Sequence, residues 1–335
     1  MPITTRSSLA RHLQWALELE HATIPPYLCA LYSIRPGTNA EAAEAIRSVV
    51  LEKMRHLTLV ANLLNAIGGK PALDDSRFVP SYPTTLPHSN GRIRVHLRPL
   101  SPAALETFRA IERPAPPPGP PPEGDAYETI GQFHAAIADG FRRVAARVGE
   151  RRLFRGRRTR QVGPEAYDGA GGGRVVVVTD VASALAAIAE VSGQRQRHDP
   201  ATCEAEARSA WATGAEPAID WAGVWPMRPD PRMARYRGRP DVHALMLACN
   251  ARYADLLRAL HDAFNGRPAR LREAVPIMHD LRHRAQALMA VPTGEADGTT
   301  VGPSFELAAA PRVRRAAASR GGRGGGRARR SAGPA

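Results

Sequence analysis

A carboxylate interrupts the apolar face of the first amphipathic segment, residues 13–31. Apolar side chains recur at helical spacing along this segment, and Glu20 falls on the same stripe, three residues after Leu17 and four before Ile24. A carboxylate that faces a protein core is costly unless it is paired, protonated or bound to a metal. We therefore predict a long helix in which Glu20 has a partner, either in an ordinary salt bridge or at a metal ion.

The second amphipathic segment, residues 41–67, is the most regular in the chain. Its apolar positions step by four and three, and Lys53 and His56 fall on the same face, which predicts that both side chains point into the core. Glu52 is expected to turn aside from this face by one residue's rotation, about 100°. Asn39 is predicted to be the N-cap of this helix.

The remaining periodic segments predict an all-α architecture with long Pro/Gly-rich loops and only minor short strands. The third helix carries His134 on its apolar stripe and Glu128 on its flank. In the first helix, Pro25 and Pro26 are expected to break the hydrogen-bond ladder and kink the helix. The predicted core helices span residues 9–33, 41–67, 125–148 and 181–192, with two additional helices at 242–264 and 268–290.

The net charge of +14 comes from arginine, because only two of the 46 basic residues are lysines. Eight arginines lie in residues 312–335 without a single acid. This tail resembles Arg/Gly-rich segments that contact nucleic acid through charge, but it lacks the interleaved aromatic residues that stack on bases. We expect residues 307–335 to be disordered, and nucleic acid to be a partner only weakly, through this tail. Residues 1–306 are predicted to form one helical domain.

Composition limits the class of protein and its compartment. The chain is 43% apolar, which is enough for a sizeable core, yet no stretch approaches the roughly 18 to 20 apolar residues that span a bilayer. The first residues lack the apolar core of a signal peptide, and three scattered cysteines form no even framework. These features predict a cytoplasmic protein with no membrane partner.

Two long helices that bring an acid and an imidazole to a shared core are typical of carboxylate-bridged metal sites in helical bundles. In the usual arrangement, two helices each supply one Glu and the other two each supply a Glu-x-x-His pair, whose spacing puts both side chains on one helix face. Carboxylates together with imidazole suit iron or manganese.

Several segments resemble the ferritin-like domain of the iminophenyl-pyruvate dimer synthase family, which includes the domain attached to enzymes of bisindole biosynthesis of the violacein type. The resemblance extends over residues 9–305 and implies a ferritin-like four-helix bundle with two additional C-terminal helices. It also implies a metal-dependent oxidation or coupling of a small aromatic imine or 2-oxo acid in secondary metabolism. The segments are ALELEHATIPPYLCALYSI, NAEAAEAIRSVVLEKMRHLTLVANLLNAIGGKP, YPTTLPHS, TIGQFHAAI and LLRALHDAFNG.

Carried over by position, the resemblance implies that Glu20, His56 and Glu128 are metal ligands. His134 lies on the third helix near Glu128, so it is either a hydrogen-bonded core residue or a residue behind these ligands. The chain departs from the family pattern at Lys53, which stands where the Glu of the second-helix Glu-x-x-His motif is expected. The corresponding motif of the fourth helix is also missing from residues 194–211.

These departures leave two alternatives open. In the first, the protein binds iron or manganese and acts on a small aromatic substrate. In the second, it binds no metal because the Lys53 ammonium pairs with Glu20 and supplies the missing positive charge. The chain would then be a non-catalytic bundle with a structural or partner-binding role. A homo-oligomer is compatible with either alternative.

Overall fold

The computed structural model describes residues 3–75, 77–87, 93–112, 127, 129–167, 174–192 and 218–307. The predicted tail from residue 308 onward, residues 194–211 and Glu128 lie outside the described residues. Within the described ranges no helix is long and apolar enough to cross a membrane.

The regular secondary structure of the described chain is helical apart from one two-stranded antiparallel sheet, in agreement with the all-α prediction. The strands are β1, Thr84–Thr85, and β2, Arg94–Val95. The helices are α1, Arg6–Ser33; α2, Ala40–Ala66; α3, Pro102–Glu112; α4, Ile130–Val148; α5, Glu150–Leu153; α6, Val181–Val191; α7, Pro240–Phe264; and α8, Leu271–Met289.

Four of these helices form a bundle around one apolar core. Helices α1 and α2 pack against each other along their lengths, α4 packs against α1, and α6 packs against α2 and α4. Helices α7 and α8 form a second pair, with α8 against α1 and α7 against α2. The bundle therefore encloses the inward faces of α1, α2 and α4, where the sequence places Glu20, Lys53 and His134.

Helix α1 runs without interruption through Pro25 and Pro26 to Ser33. A proline has no N–H, so Pro26 leaves the carbonyl of Ala22 without its donor four residues along. The hydroxyl of Tyr82 donates to that carbonyl at 2.9 Å and is itself buried. A side chain from the β1 loop thus satisfies the acceptor that the proline leaves unpaired.

Helix α4 begins later than the sequence predicts. Its first residue is Ile130, and Thr129 is the N-cap, with extended backbone and a hydroxyl that accepts the N–H of Gln132 at 3.1 Å. A threonine hydroxyl satisfies one of the unpaired N–H groups of a first turn, and this favours a start here over the predicted start at residue 125.

Amide side chains fasten the long loops to the bundle. In each of four cases one Asn or Gln amide both donates to and accepts from the same backbone residue, as neighbouring strands do, with all distances between 2.7 and 3.1 Å. Asn39 uses its amide in this way, and so it does not cap α2 through its side chain. The pairs are Gln14 with Ala72, Asn39 with Asp220, Asn62 with Val162, and Gln161 with Val178.

Candidate functional site

The carboxylate of Glu20 lies at the centre of the bundle, where the side chain is 3% exposed. His56 of α2 places Nδ1 3.6 Å from Glu20 Oε2, and His134 of α4 places Nε2 3.8 Å from Oε1. The Lys53 ammonium lies 4.0 Å from Oε2. The structure thus brings together four of the five side chains that the sequence selected, from α1, α2 and α4. Glu128 is outside the described residues.

Lys53 has a second and nearer partner that the sequence did not suggest. Its Nζ lies 3.1 Å from Oε1 of Glu112, the last residue of α3, and the hydroxyl of Tyr27 donates to the same oxygen at 2.9 Å. The ring of Tyr27 stacks on Phe108 of α3, with ring centroids 4.0 Å apart. The Glu112 side chain is 44% exposed, so it links the buried ammonium to solvent.

Glu52 also belongs to this cluster, and the prediction that it turns aside is wrong. The residue is 9% exposed, and its Oε1 lies 3.3 Å from Nε2 of His56. Residues four apart in a helix are neighbours on its surface, and this spacing was the signal in the sequence that could have identified Glu52. The imidazole of His56 therefore lies between two carboxylates, those of Glu20 and Glu52.

The electrostatics of the cluster favour charged acids and a charged lysine. Burial favours the neutral form of Glu20, but the charges of Lys53 and His56 outweigh it and lower the pKa of Glu20 to about 2. Burial opposes the charge on Lys53 as well, yet the carboxylates of Glu112 and Glu20 raise its pKa. For His56, the two facing carboxylates raise the pKa against burial. Burial lowers the pKa of His134 to about 4, which keeps it neutral.

The described side chains around Glu20 do not fit the metal that the ferritin-like resemblance implies. A lysine ammonium has three donors and no lone pair to offer a cation, and here its charge lies within 4.0 Å of the central carboxylate Glu20. In the described ranges, no group of three or more His, Cys, Asp or Glu side chains is placed to hold a metal ion. The arrangement instead forms an ion-pair cluster in which the positive charge belongs to the chain.

The space beside the cluster is small. A void of about 10 Å³ lies next to His134, between α1, α2, α4 and α6, with apolar walls that include Leu13, Val60 and Ile188. A volume of this size holds about one water molecule. This void has no room for an aromatic ring.

Comparison with known proteins bears on the fold and the family. A family model described as Ferritin-like matches residues 13–204. The crystal structure of a ferritin-like protein from Caulobacter vibrioides superposes with a TM-score of 0.63 at 21% identity, covering 88% of this chain and 97% of that one. This likeness concerns the fold alone and confirms the predicted ferritin-like bundle.

One curated relative is the dichlorochromopyrrolate synthase of Lentzea aerocolonigenes, which is 25% identical to this chain. The alignment covers 91% of this chain but 36% of the relative, so the chain spans about a third of that protein's length. The match agrees with the resemblance noted in the sequence. Since the family model covers more than half of the chain, the protein is a member of the ferritin-like family.

Proposed function

We propose that this chain is a non-catalytic ferritin-like protein in which the Lys53 ammonium replaces a metal ion at the bundle centre. The observation that carries the proposal is the position of Lys53 Nζ, 3.1 Å from Glu112 and 4.0 Å from Glu20. The helical core then has a structural role and presents surfaces to a partner.

Charge and ligand chemistry support this proposal. Binding a metal requires deprotonated ligands, whereas the carboxylates around Lys53 raise its pKa and keep it protonated. A metal ion at Glu20 would have to displace this ammonium, which is 7% exposed and held by the partly exposed Glu112. The buried cation already supplies the charge that a metal would bring.

The test is the metal content of protein purified from cells supplemented with iron and manganese, measured by elemental analysis. We expect no stoichiometric metal in the wild type. We expect Lys53→Glu to lower the melting temperature without metal uptake, since it adds a fourth acid beside Glu20, Glu52 and Glu112. One or two equivalents of metal in the wild type, lost on changing Glu20 or His56 to Ala, would overturn the proposal.

A second candidate function is metal-dependent oxidation or coupling of a small aromatic imine or 2-oxo acid. It is supported by the synthase name of the relative and by buried polar atoms at the site that lack hydrogen bonds, namely Oε2 of Glu20 and ring nitrogens of His56 and His134. Iron or manganese held by Glu20, His56 and Glu128 would belong to this function. It predicts that Lys53→Glu raises metal affinity, the opposite of the result expected above.

A further inference from the structure

One end of the bundle carries a dense group of arginines. Between residues 139 and 160 the chain has nine arginines and two acids. Eight of the nine arginines are exposed and the ninth, Arg160, is partly buried. We call the exposed set the arginine end; its members are Arg142, Arg143, Arg147, Arg151, Arg152, Arg155, Arg157 and Arg158.

Backbone contacts place this segment across the ends of three helices. The N–H of Gly156 donates to the carbonyl of Ala66, the last residue of α2, at 2.9 Å. Arg147, in the last turn of α4, donates to the carbonyl of Thr4 just before α1, at 3.3 Å. The start of α1 and the ends of α2 and α4 therefore meet beneath the segment from Arg147 to Gly156, which brings the arginines of this segment to one end of the bundle.

Few carboxylates balance these charges. Among the described residues, Arg142 forms an ion pair with Asp139 at 2.7 Å, and none of the other members has one. Arg6 of α1 adds a further positive charge, because its guanidinium and the side chain of Arg155 both lie near Gly68. Burial, and then the charge of Arg155, lower the pKa of Arg6. Like charges held this close favour a bound polyanion.

We propose that the arginine end binds the phosphate backbone of double-stranded nucleic acid without reading its sequence. Arginine pairs with phosphate through two parallel N–H bonds, and duplex DNA offers about one negative charge per 1.7 Å of its axis. The sequence pointed only to the C-terminal tail as a basic segment. The arginine end is a surface of the folded part of the chain, and its binding does not depend on the function proposed above.

The absence of apolar anchors favours a nucleic acid over a protein partner. Stable protein interfaces have an apolar, aromatic-rich centre. In the described part of the chain, the large exposed hydrophobic side chains are all outside residues 139–160. They are Trp221, Leu245, Leu247 and Val275. Binding through the arginine end must therefore rely on charge, as phosphate contacts do.

The test is the fluorescence anisotropy of a labelled DNA duplex of mixed sequence titrated with the full chain between about 50 and 200 mM salt. The variant combines Arg151→Ser, Arg152→Ser and Arg158→Ser. For each phosphate contact removed, the slope of log affinity against log salt becomes shallower by about one. We expect a decrease of two to three in the slope and at least about tenfold weaker binding at the lowest salt.

A matched control removes the same charge elsewhere. Arg35 lies two residues after the end of α1 and Arg237 three residues before α7, both at the other end of the bundle, and Arg94 is exposed on β2. The combined Ser variant of these three is expected to bind like the wild type. If the variant of the arginine end has a lower melting temperature, the Lys variants of the same positions, which keep the charge, are expected to retain binding.

Four results would overturn the inference. One is that the wild type does not bind the duplex, and another is that the control variant weakens binding as much as the variant of the arginine end. A third is that only changing Arg323, Arg327 and Arg329 of the tail to Ser abolishes binding. The fourth is binding to vesicles of anionic lipid without binding to DNA, which would assign the surface to a membrane.

Discussion

The residue that decides how the centre of this bundle works is Lys53, because the charges of three carboxylates act on its ammonium. It lies within 4.0 Å of Glu20 and 3.1 Å of Glu112, and the charge of Glu52 also acts on it. Removing one partner of a buried ion pair leaves the other charge without compensation, which typically costs about 3 to 5 kcal/mol. Stability at this site therefore depends on keeping opposite charges together.

We expect Lys53→Met, which keeps the length of the side chain but removes its charge, to lower the free energy of unfolding by about 3 kcal/mol. Urea denaturation at neutral pH measures this change. The matched control is Lys70→Met, since Lys70 is the chain's other lysine and is exposed. Combining Lys53→Met with Glu20→Gln should recover part of the loss. Equal stability of Lys53→Met and wild type would contradict a structural role for the cation.

His21 gives the chain a predictable dependence on pH. Burial lowers its pKa to about 3, and its Nε2 is 2.5 Å from the hydroxyl of Tyr253. Between pH 6.5 and 3 the unfolded chain gains a proton at this site that the folded chain does not. The free energy of unfolding therefore falls as pH falls, by up to about 1.4 kcal/mol per pH unit for this group.

Urea unfolding at several pH values between 3 and 6.5 measures the slope of the free energy of unfolding against pH. We expect His21→Gln to make it shallower by the contribution of one proton, whatever the variant does to stability at neutral pH. His283→Gln, at an exposed position of α8, is the control and should leave the slope as in the wild type. An unchanged slope in His21→Gln would mean that the buried imidazole is protonated in the folded state.

Helical periodicity was enough to select Glu20, Lys53 and His56 as inward-facing residues, because each lies on an otherwise apolar stripe. The same rule missed Glu112, since its position beside Lys53 depends on how α3 docks against α1 through Phe108 and Tyr27. The hydrogen bond from Tyr27 to Glu112 joins residues 85 positions apart in the chain. Local spacing carries no information about such a contact.

At the level of elements, α1 depends on a side chain from another part of the chain to continue through its two prolines. The hydroxyl of Tyr82 supplies the donor that Pro26 cannot give to the Ala22 carbonyl. We expect Tyr82→Phe to lower the free energy of unfolding by about 1 to 3 kcal/mol, the cost of a buried acceptor left without a partner. Chemical denaturation measures the difference.

A double-mutant cycle with Pro26→Ala isolates this effect. Alanine restores an N–H four residues after Ala22, so Tyr82→Phe should cost less in the Pro26→Ala background than in the wild type. The difference between the two losses in free energy of unfolding measures the coupling between the Tyr82 hydroxyl and Pro26. The same cost in both backgrounds would show that Tyr82 stabilises α1 in some other way.

For the loops, the sequence predicted the composition but not the path of the backbone. The sequence predicted long Pro/Gly-rich loops, but nothing in their composition showed that Gln14 holds the backbone of Ala72 or that Tyr82 completes α1. Asn39 was correctly placed at the start of α2, yet its amide pairs with Asp220, 181 residues away. The bounds of the helices follow from local chemistry, whereas the path of the loops follows from tertiary hydrogen bonds.

Gly156 shows how closely one loop approaches α2. A Cβ at this position would lie 1.7 Å from the backbone oxygen of Asn65, so the loop would have to move. We expect Gly156→Ala to lower the free energy of unfolding by about 1 to 3 kcal/mol or more, as overpacking does. Gly238→Ala is the control, because a Cβ there has no neighbour within 4 Å. A thermal melt of each variant measures the effect, and equal melting temperatures would contradict the close approach.

On the scale of the whole molecule, the C-terminal pair α7 and α8 is joined to the bundle by buried polar contacts as well as by packing. Tyr253 of α7 meets His21 of α1, and the amide of Asn65 at the end of α2 donates to the carbonyl of Phe264 at 2.6 Å. These bonds are inside the apolar core, where breaking them without replacement is costly. The bundle and the helix pair should therefore unfold together.

We expect Leu281→Ala in α8, a fully buried position, to lower the free energy of unfolding by about 2 to 5 kcal/mol. If the molecule is one cooperative unit, urea transitions followed by far-ultraviolet circular dichroism and by tryptophan fluorescence will shift together. The two probes differ because none of the four tryptophans lies in α7 or α8, whereas the helical signal includes both. Val275→Ala, 46% exposed on the same helix, is the control and should shift neither. A second transition confined to one probe would mean that the helix pair is a separate folding unit, and that the bundle centre holds its ion pairs without support from α7 and α8.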